Sequence, residues 1–149
     1  MSLLVIVAIV FVFLEFTNVL VMYFKPDSGM ANSAGIFSAW EKSKQDPEIH
    51  SFVKYLVNWV AGTKLIFLSL LLVIILVGDP VVQFFAGVAM VISISTFYWR
   101  LFPLIRKMDN ENQVTPKNYS RTVAAMIFVM IVMFAISLVL QYLGITWPL

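Results

Sequence analysis

Apolar residues fall into four long stretches, separated by short polar and turn-forming segments. Leu3 to Phe24 contains a single carboxylate, Glu15. Tyr55 to Val77 carries Lys64 near its middle, and Val81 to Leu101 is apolar up to Arg100 at its end. Val123 to Leu143 has only Ser137 and Gln141 as polar members. Each run has about the 20 residues needed to cross roughly 30 Å of hydrocarbon. The runs are continuous rather than alternating, which predicts helices and not barrel strands. The expected fold is an all-α membrane protein, an antiparallel bundle of four transmembrane helices within one integral membrane domain, 1–149. The spans are placed at 3–24, 55–77, 81–102 and 119–143.

The breaks carry recognisable end signals. Gly78-Asp79-Pro80 reads as a C′ glycine, an N-cap aspartate and an N1 proline in succession, so the second and third helices form a tight hairpin. Thr115-Pro116 repeats the cap-then-proline signal and predicts an early start for the fourth helix, which Gly144 and Pro148 end. Asp46-Pro47-Glu48 is a third such start and extends the second helix beyond its apolar run. Pro103 is expected to kink the end of the third helix. The N-terminal run has no basic n-region, exceeds a signal peptide in apolar length and lacks a small-x-small cleavage site, so it reads as a retained first span.

Between the first two spans, Asn32 or Ser33 is placed to cap a short helix over 33–44. Ile36, Phe37 and Trp40 share one face of it, with Glu41, Lys42 and Lys44 off that face. Such a helix either lies amphipathically in the headgroup plane or packs on the ends of the bundle. Orientation follows from the cations. Of the ten Lys and Arg residues, nine lie near the connections 25–54 and 103–118, and the tenth is Lys64. The excess of positive charge places those connections in the cytoplasm and both termini outside it.

Composition narrows the function classes. The chain is 61% hydrophobic and 12% charged, too little charge to cover a water-exposed surface. The absence of cysteine removes disulfides, thiolate catalysis and metal–thiolate centres, and the single histidine, His50, makes no imidazole metal site by itself. No cofactor or metal is expected. A net charge of +2 without a basic stripe argues against nucleic acid as a partner. His50, between Glu48 and Ser51, reads as an interfacial polar residue of a type able to sense pH.

The candidate chemistry lies inside the membrane. Glu15 precedes the inner end of the first span, Phe24, by nine residues, and Lys64 follows the inner end of the second, Tyr55, by nine. At 1.5 Å per residue both lie about 13 Å from the same boundary. Ala8, Phe11, Glu15, Asn18 and Met22 make one stripe on the first helix. Ala86, Ala89, Ser93 and Thr96 make a seam of small residues on the third, with Ser93 at the same depth. A polar layer of Glu15, Asn18, Lys64 and Ser93 is therefore expected. Met126, Met130 and Met133 on the fourth helix read as packing. Trp40, Asn58, Trp59, Tyr98, Trp99 and Arg100 are expected at the membrane interface or in contact with lipid.

Three functions remain open. The first is a non-catalytic accessory or assembly subunit contacting a membrane partner. The second is a homo-oligomeric channel or transporter using the Glu15–Lys64 layer. The third is a small membrane enzyme acting on a lipid or quinone near Trp59, Tyr98 and Arg100. No catalytic residues are assigned, and besides the lipid bilayer the expected partner is another membrane protein or a second copy.

Overall fold

A backbone inside hydrocarbon must satisfy its own N–H and C=O groups, so the apolar runs fold as helices. The computed structural model describes residues 2–30 and 32–145. Its α-helices are α1 (Leu3–Phe24), α2 (Ser38–Ser43), α3 (Pro47–Val77), α4 (Pro80–Ser95), α5 (Phe97–Asn110) and α6 (Tyr119–Tyr142). Four segments are long and apolar enough to cross a membrane: Leu3–Phe24, Pro47–Val77, Pro80–Asn110 and Tyr119–Tyr142. Strand pairing among the described residues is limited to an isolated bridge between Phe37 and Val114.

Helix α1 is the common neighbour, packing against α3, α4 and α6. One apolar cluster joins its Leu4, Val5, Val7 and Ala8 to Leu71 and Ile75 of α3, Met90 of α4 and Phe134 of α6. A second joins Val19 and Met22 of α1 to Ala61 and Leu68 of α3. On α4 the inward residues are Gly87 and Met90, with Val91 and Ile94 packed alongside. The expected seam lies one residue further round the helix. Ala86 is half-buried, but Ala89, Ser93 and Thr96 are exposed. Leu4 and Leu138 select the other face, because both fill the hollow over Gly87. On α6 only Met130 of the three methionines packs on the core, while Met126 and Met133 face outward.

Local polar groups set the helix ends. Asp46 caps α3 by accepting from the Glu48 and Ile49 N–H groups, so α3 starts at Pro47, well before Tyr55. Asp79 does the same for Val81 and Val82 at 2.9 Å each. Gly78 has an ordinary φ of −70° instead of the left-handed one expected of a C′ glycine. Glycine suits the position because a Cβ would stand 2.5 Å from the Ile74 carbonyl oxygen. Gln83 Nε2 donates to the carbonyls of Ile75 (3.2 Å) and Gly78 (3.1 Å), and Gln141 Nε2 of α6 donates to that of Pro80 (2.9 Å). Gly144 follows α6 with φ +69°, and Pro148 lies outside the described residues.

The third span is interrupted at Thr96, not at Pro103. Ser95 Oγ bonds the Val91 carbonyl and Thr96 Oγ1 the Ser93 carbonyl, back-bonds of the kind that bend helices. Helix α5 then runs through Pro103 to Asn110. The fourth span begins at Tyr119, later than Thr115-Pro116 suggests. Its cap comes from the last turn of α5. Asp109 accepts from the N–H groups of Asn118 (3.0 Å) and Ser120 (3.0 Å) and from Ser120 Oγ (2.6 Å).

The connection between α1 and α3 also departs from the expected single helix over 33–44. It holds a 3-10 turn at Ala34–Ile36 and the six-residue α2, with Phe37 extended between them. Phe37 is extended because this connection pairs with the one between α5 and α6. The Ser38 N–H donates to the Gln113 carbonyl, and the Thr115 N–H to that of Ile36, both at 2.9 Å. Ser33 Oγ donates to the Ser28 carbonyl instead of capping a helix, and the Tyr119 hydroxyl reaches Asn32. Ile36 and Trp40 are buried against protein, so the apolar face is not laid on lipid.

Gly35 is where this connection folds back on itself. Its N–H donates to the Pro26 carbonyl at 2.7 Å, and a Cβ would stand 2.3 Å from the Asp27 carbonyl oxygen. Gly35→Ala is expected to destabilise the connection by about 1–3 kcal/mol, the usual cost of forcing backbone apart. Limited proteolysis of the detergent-solubilised protein should show faster cleavage between the first two spans; an unchanged rate would contradict the close approach.

Candidate functional site

The stripe on α1 faces its neighbours: Ala8, Asn18 and Met22 are buried, while Phe11 and Glu15 are half-buried. Glu15 Oε2 lies 2.6 Å from Lys64 Nζ, joining α1 to α3. Asn18, one turn along α1, donates through Nδ2 to the same carboxylate oxygen at 3.4 Å. Asn18 is only 5% exposed, and its Oδ1 has no hydrogen-bond partner among the described residues. The Glu15 and Lys64 side chains keep 27% and 30% of their surface, so the pair lies at the edge of the α1–α3 seam.

An unpaired charge deep in a bilayer costs several kcal/mol. Pairing removes most of that cost, and the two desolvated charges then depend on each other. Ser93 does not join this layer, because it sits on the outer face of α4. Close to the pair, Phe11 meets Phe67 and Phe134 edge-on, with centroids 6.3 and 5.9 Å away. Toward the other end of α1 lies a void of about 20 Å³ with almost wholly apolar walls, including Leu4, Ala8, Leu71, Met90 and Phe134. Such a space offers a water molecule too few partners to hold it. Among the described residues no group of three or more His, Asp or Glu side chains is arranged to hold a metal.

The expected interface residues divide into two kinds. Asn58, Trp59, Trp99 and Arg100 are exposed, with Tyr55 against Trp59 and the Arg100 guanidinium 5.2 Å from the Trp99 ring. Tyr98 instead turns inward and donates to the Ala124 carbonyl of α6 at 2.6 Å. Trp40 is 2% exposed. Its Nε1 donates to Asp27 Oδ1 at 2.6 Å, and its ring meets that of His50, 4.8 Å away. Tyr98 and Trp40 each have their polar atom engaged within the chain, and Trp40 is buried as well.

Trp40 belongs to a polar clasp at the end of the helices. Lys44 Nζ lies 2.7 Å from Asp27 Oδ1 and 2.8 Å from Glu41 Oε1, and Ser43 Oγ lies 2.9 Å from His50 Nδ1. Hydrogen bonds from Lys44, then Trp40, hold the Asp27 carboxyl below its ordinary range. Those to Asp27, then Glu41, raise the Lys44 ammonium above its own. Asp27 and Asp109 carry no sequence signal for these roles: their partners lie 13 and 11 residues away, beyond any capping spacing. The chain matches no protein-family model, no curated protein and no solved structure.

Two outcomes follow from the charged pairs. Lys64→Met alone leaves a carboxylate without its cation and should cost roughly 3 kcal/mol, whereas adding Glu15→Gln should restore much of the loss. Unfolding of the four cycle members in mixed micelles measures the coupling, and additive losses would show that the pair contributes nothing. In the clasp, the depressed Asp27 group contributes stability above its unfolded pKa, and this is lost as pH falls through the folded value. The raised Lys44 contributes below its unfolded pKa and loses that only in strong alkali. The Trp40 indole N–H resonance should therefore show an acid step below about pH 4. Asp27→Asn should abolish the acid step; a step that persists would assign it to another group.

Proposed function

We propose that this protein is a non-catalytic, multi-pass membrane subunit that assembles with a membrane partner through its third span. In this reading the four spans form an antiparallel bundle, with both termini outside the cytoplasm and the basic connections within it. The observation that carries the reading is the poor cover of the third span. Only 11% of its apolar window is buried, against 28%, 22% and 22% for the other three. Its open face presents Ala89, Ser93 and Thr96. In a bilayer, where lipid is as apolar as leucine, small side chains let a second helix come close, and hydroxyls supply bonds across the contact.

The Glu15–Lys64 pair supports a structural part for the polar layer. Its two charges neutralise each other within one chain, beside an apolar interior. The layer then fixes how α1 sits on α3, and the partner is met elsewhere.

The chain has no cysteine, so Ser93→Cys introduces a single thiol on the open face. In native membranes under mild oxidation or with a short bifunctional reagent, it should give one discrete cross-linked species. Ala89→Leu on the same chain should reduce the yield about tenfold, as expected when close packing is blocked. Phe128→Cys, also exposed but on α6, should yield far less. Equal or absent cross-linking at both positions would remove the proposal.

A further inference from the structure

The outer side of α5 carries a groove that the bundle does not use. It is open, has a volume of about 470 Å³ and is lined by Phe102, Pro103, Arg106, Lys107, Asn110 and Glu111. The opposite side of α5 is occupied: Tyr98 bonds Ala124, and Asp109 caps α6. Along the helix the groove changes character. Toward α4 its apolar wall is Phe102 and Pro103, and Trp99, one turn before Pro103, is 74% exposed. Away from α4 it becomes polar, with exposed Arg106 and Lys107 followed by Asn110 and Glu111. Seven residues separate Trp99 from Arg106, about 10 Å along the axis.

We propose that this groove binds an anionic phospholipid of the surrounding bilayer. The acyl chain lies along Trp99, Phe102 and Pro103, and the phosphate meets Arg106 and Lys107. Charge selects the headgroup. Arg106 has no ion pair among the described residues, and Lys107 has only a loose contact, 3.9 Å, with Glu111. The Glu111 carboxylate is the one opposing charge in the groove, and it is already engaged by Gln113 Nε2 at 2.6 Å. Arginine grips phosphate through its planar fork, and lysine adds a point charge.

The apolar half of the groove selects a lipid over a free phosphate. The groove lies at the C-terminal end of α5, where the helix dipole is unfavourable to an anion. An anion held there needs the extra anchorage that an acyl chain on Trp99 and Pro103 supplies.

Native mass spectrometry of the full chain tests this in micelles doped with phosphatidylglycerol or phosphatidylcholine of matched acyl chains. The protein should retain phosphatidylglycerol about tenfold better, as two interfacial cations allow. Arg106→Gln with Lys107→Gln should bring the two lipids to parity, whereas Lys54→Gln with Lys117→Gln, which removes equal charge elsewhere, should leave the preference intact. Millimolar glycerol phosphate should not displace the lipid. Equal retention of both lipids by the unaltered protein, a preference that survives loss of Arg106 and Lys107, equal loss in the control variant, or displacement by glycerol phosphate would each overturn the proposal.

Discussion

A bilayer interior tolerates a charge only when a counter-charge comes with it, and Lys64 imposes that condition on the whole chain. Its neutralisation by Glu15 fixes α1 against α3 in both depth and rotation. The pair lies between two apolar clusters on α1, one built on Leu4, Val5 and Ala8, the other on Val19 and Met22. A slip of α1 by one turn would separate the charges and pull both clusters out of register. Because α1 is also the helix that α4 and α6 pack upon, the constraint passes from one contact to the remaining spans. Apolar packing alone is forgiving in hydrocarbon, where lipid and protein side chains are alike. A charged pair, by contrast, has one favourable partner on each helix.

How far this arrangement is legible in sequence depends on which coordinate is being read. Depth in the membrane is a linear count, and counting from Phe24 and Tyr55 brings Glu15 and Lys64 together without any knowledge of packing. Facing is a different matter. Ser93 has the right depth, yet the small-residue stripe that carries it and the stripe of Gly87, Met90 and Ile94 differ by one residue of rotation. Both stripes are apolar enough to be buried, and the choice is made by Leu4 and Leu138, which need the hollow over Gly87. The same ambiguity separates Met130 from Met126 and Met133. Aromatic residues near a boundary are ambiguous in the same way, since Tyr98 and Trp99 are neighbours in sequence and only the first has a carbonyl to meet.

The connections were the least legible part, because their contacts are long-range in sequence. Phe37 looks like the middle of an amphipathic helix until Val114 pairs with it. Trp40 looks like a membrane anchor until Asp27 takes its N–H. Thr115-Pro116 looks like a helix start, but nothing local marks Asp109 as the group that takes over the task. Paired with one another, the two connections become one polar structure at a single end of the helices. At the other end, Gln83 and Gln141 tie α3, α4 and α6 through backbone carbonyls.

The cap on α6 has a consequence for how the chain is made. A helix that carries its own N-cap can start as soon as that residue is synthesised. Helix α6 instead takes its cap from Asp109, which leaves the ribosome before Ser120 does. The acceptor is thus part of the chain before the last span is made. A fourth span made on its own would lack the acceptor that closes its first turn in the full chain.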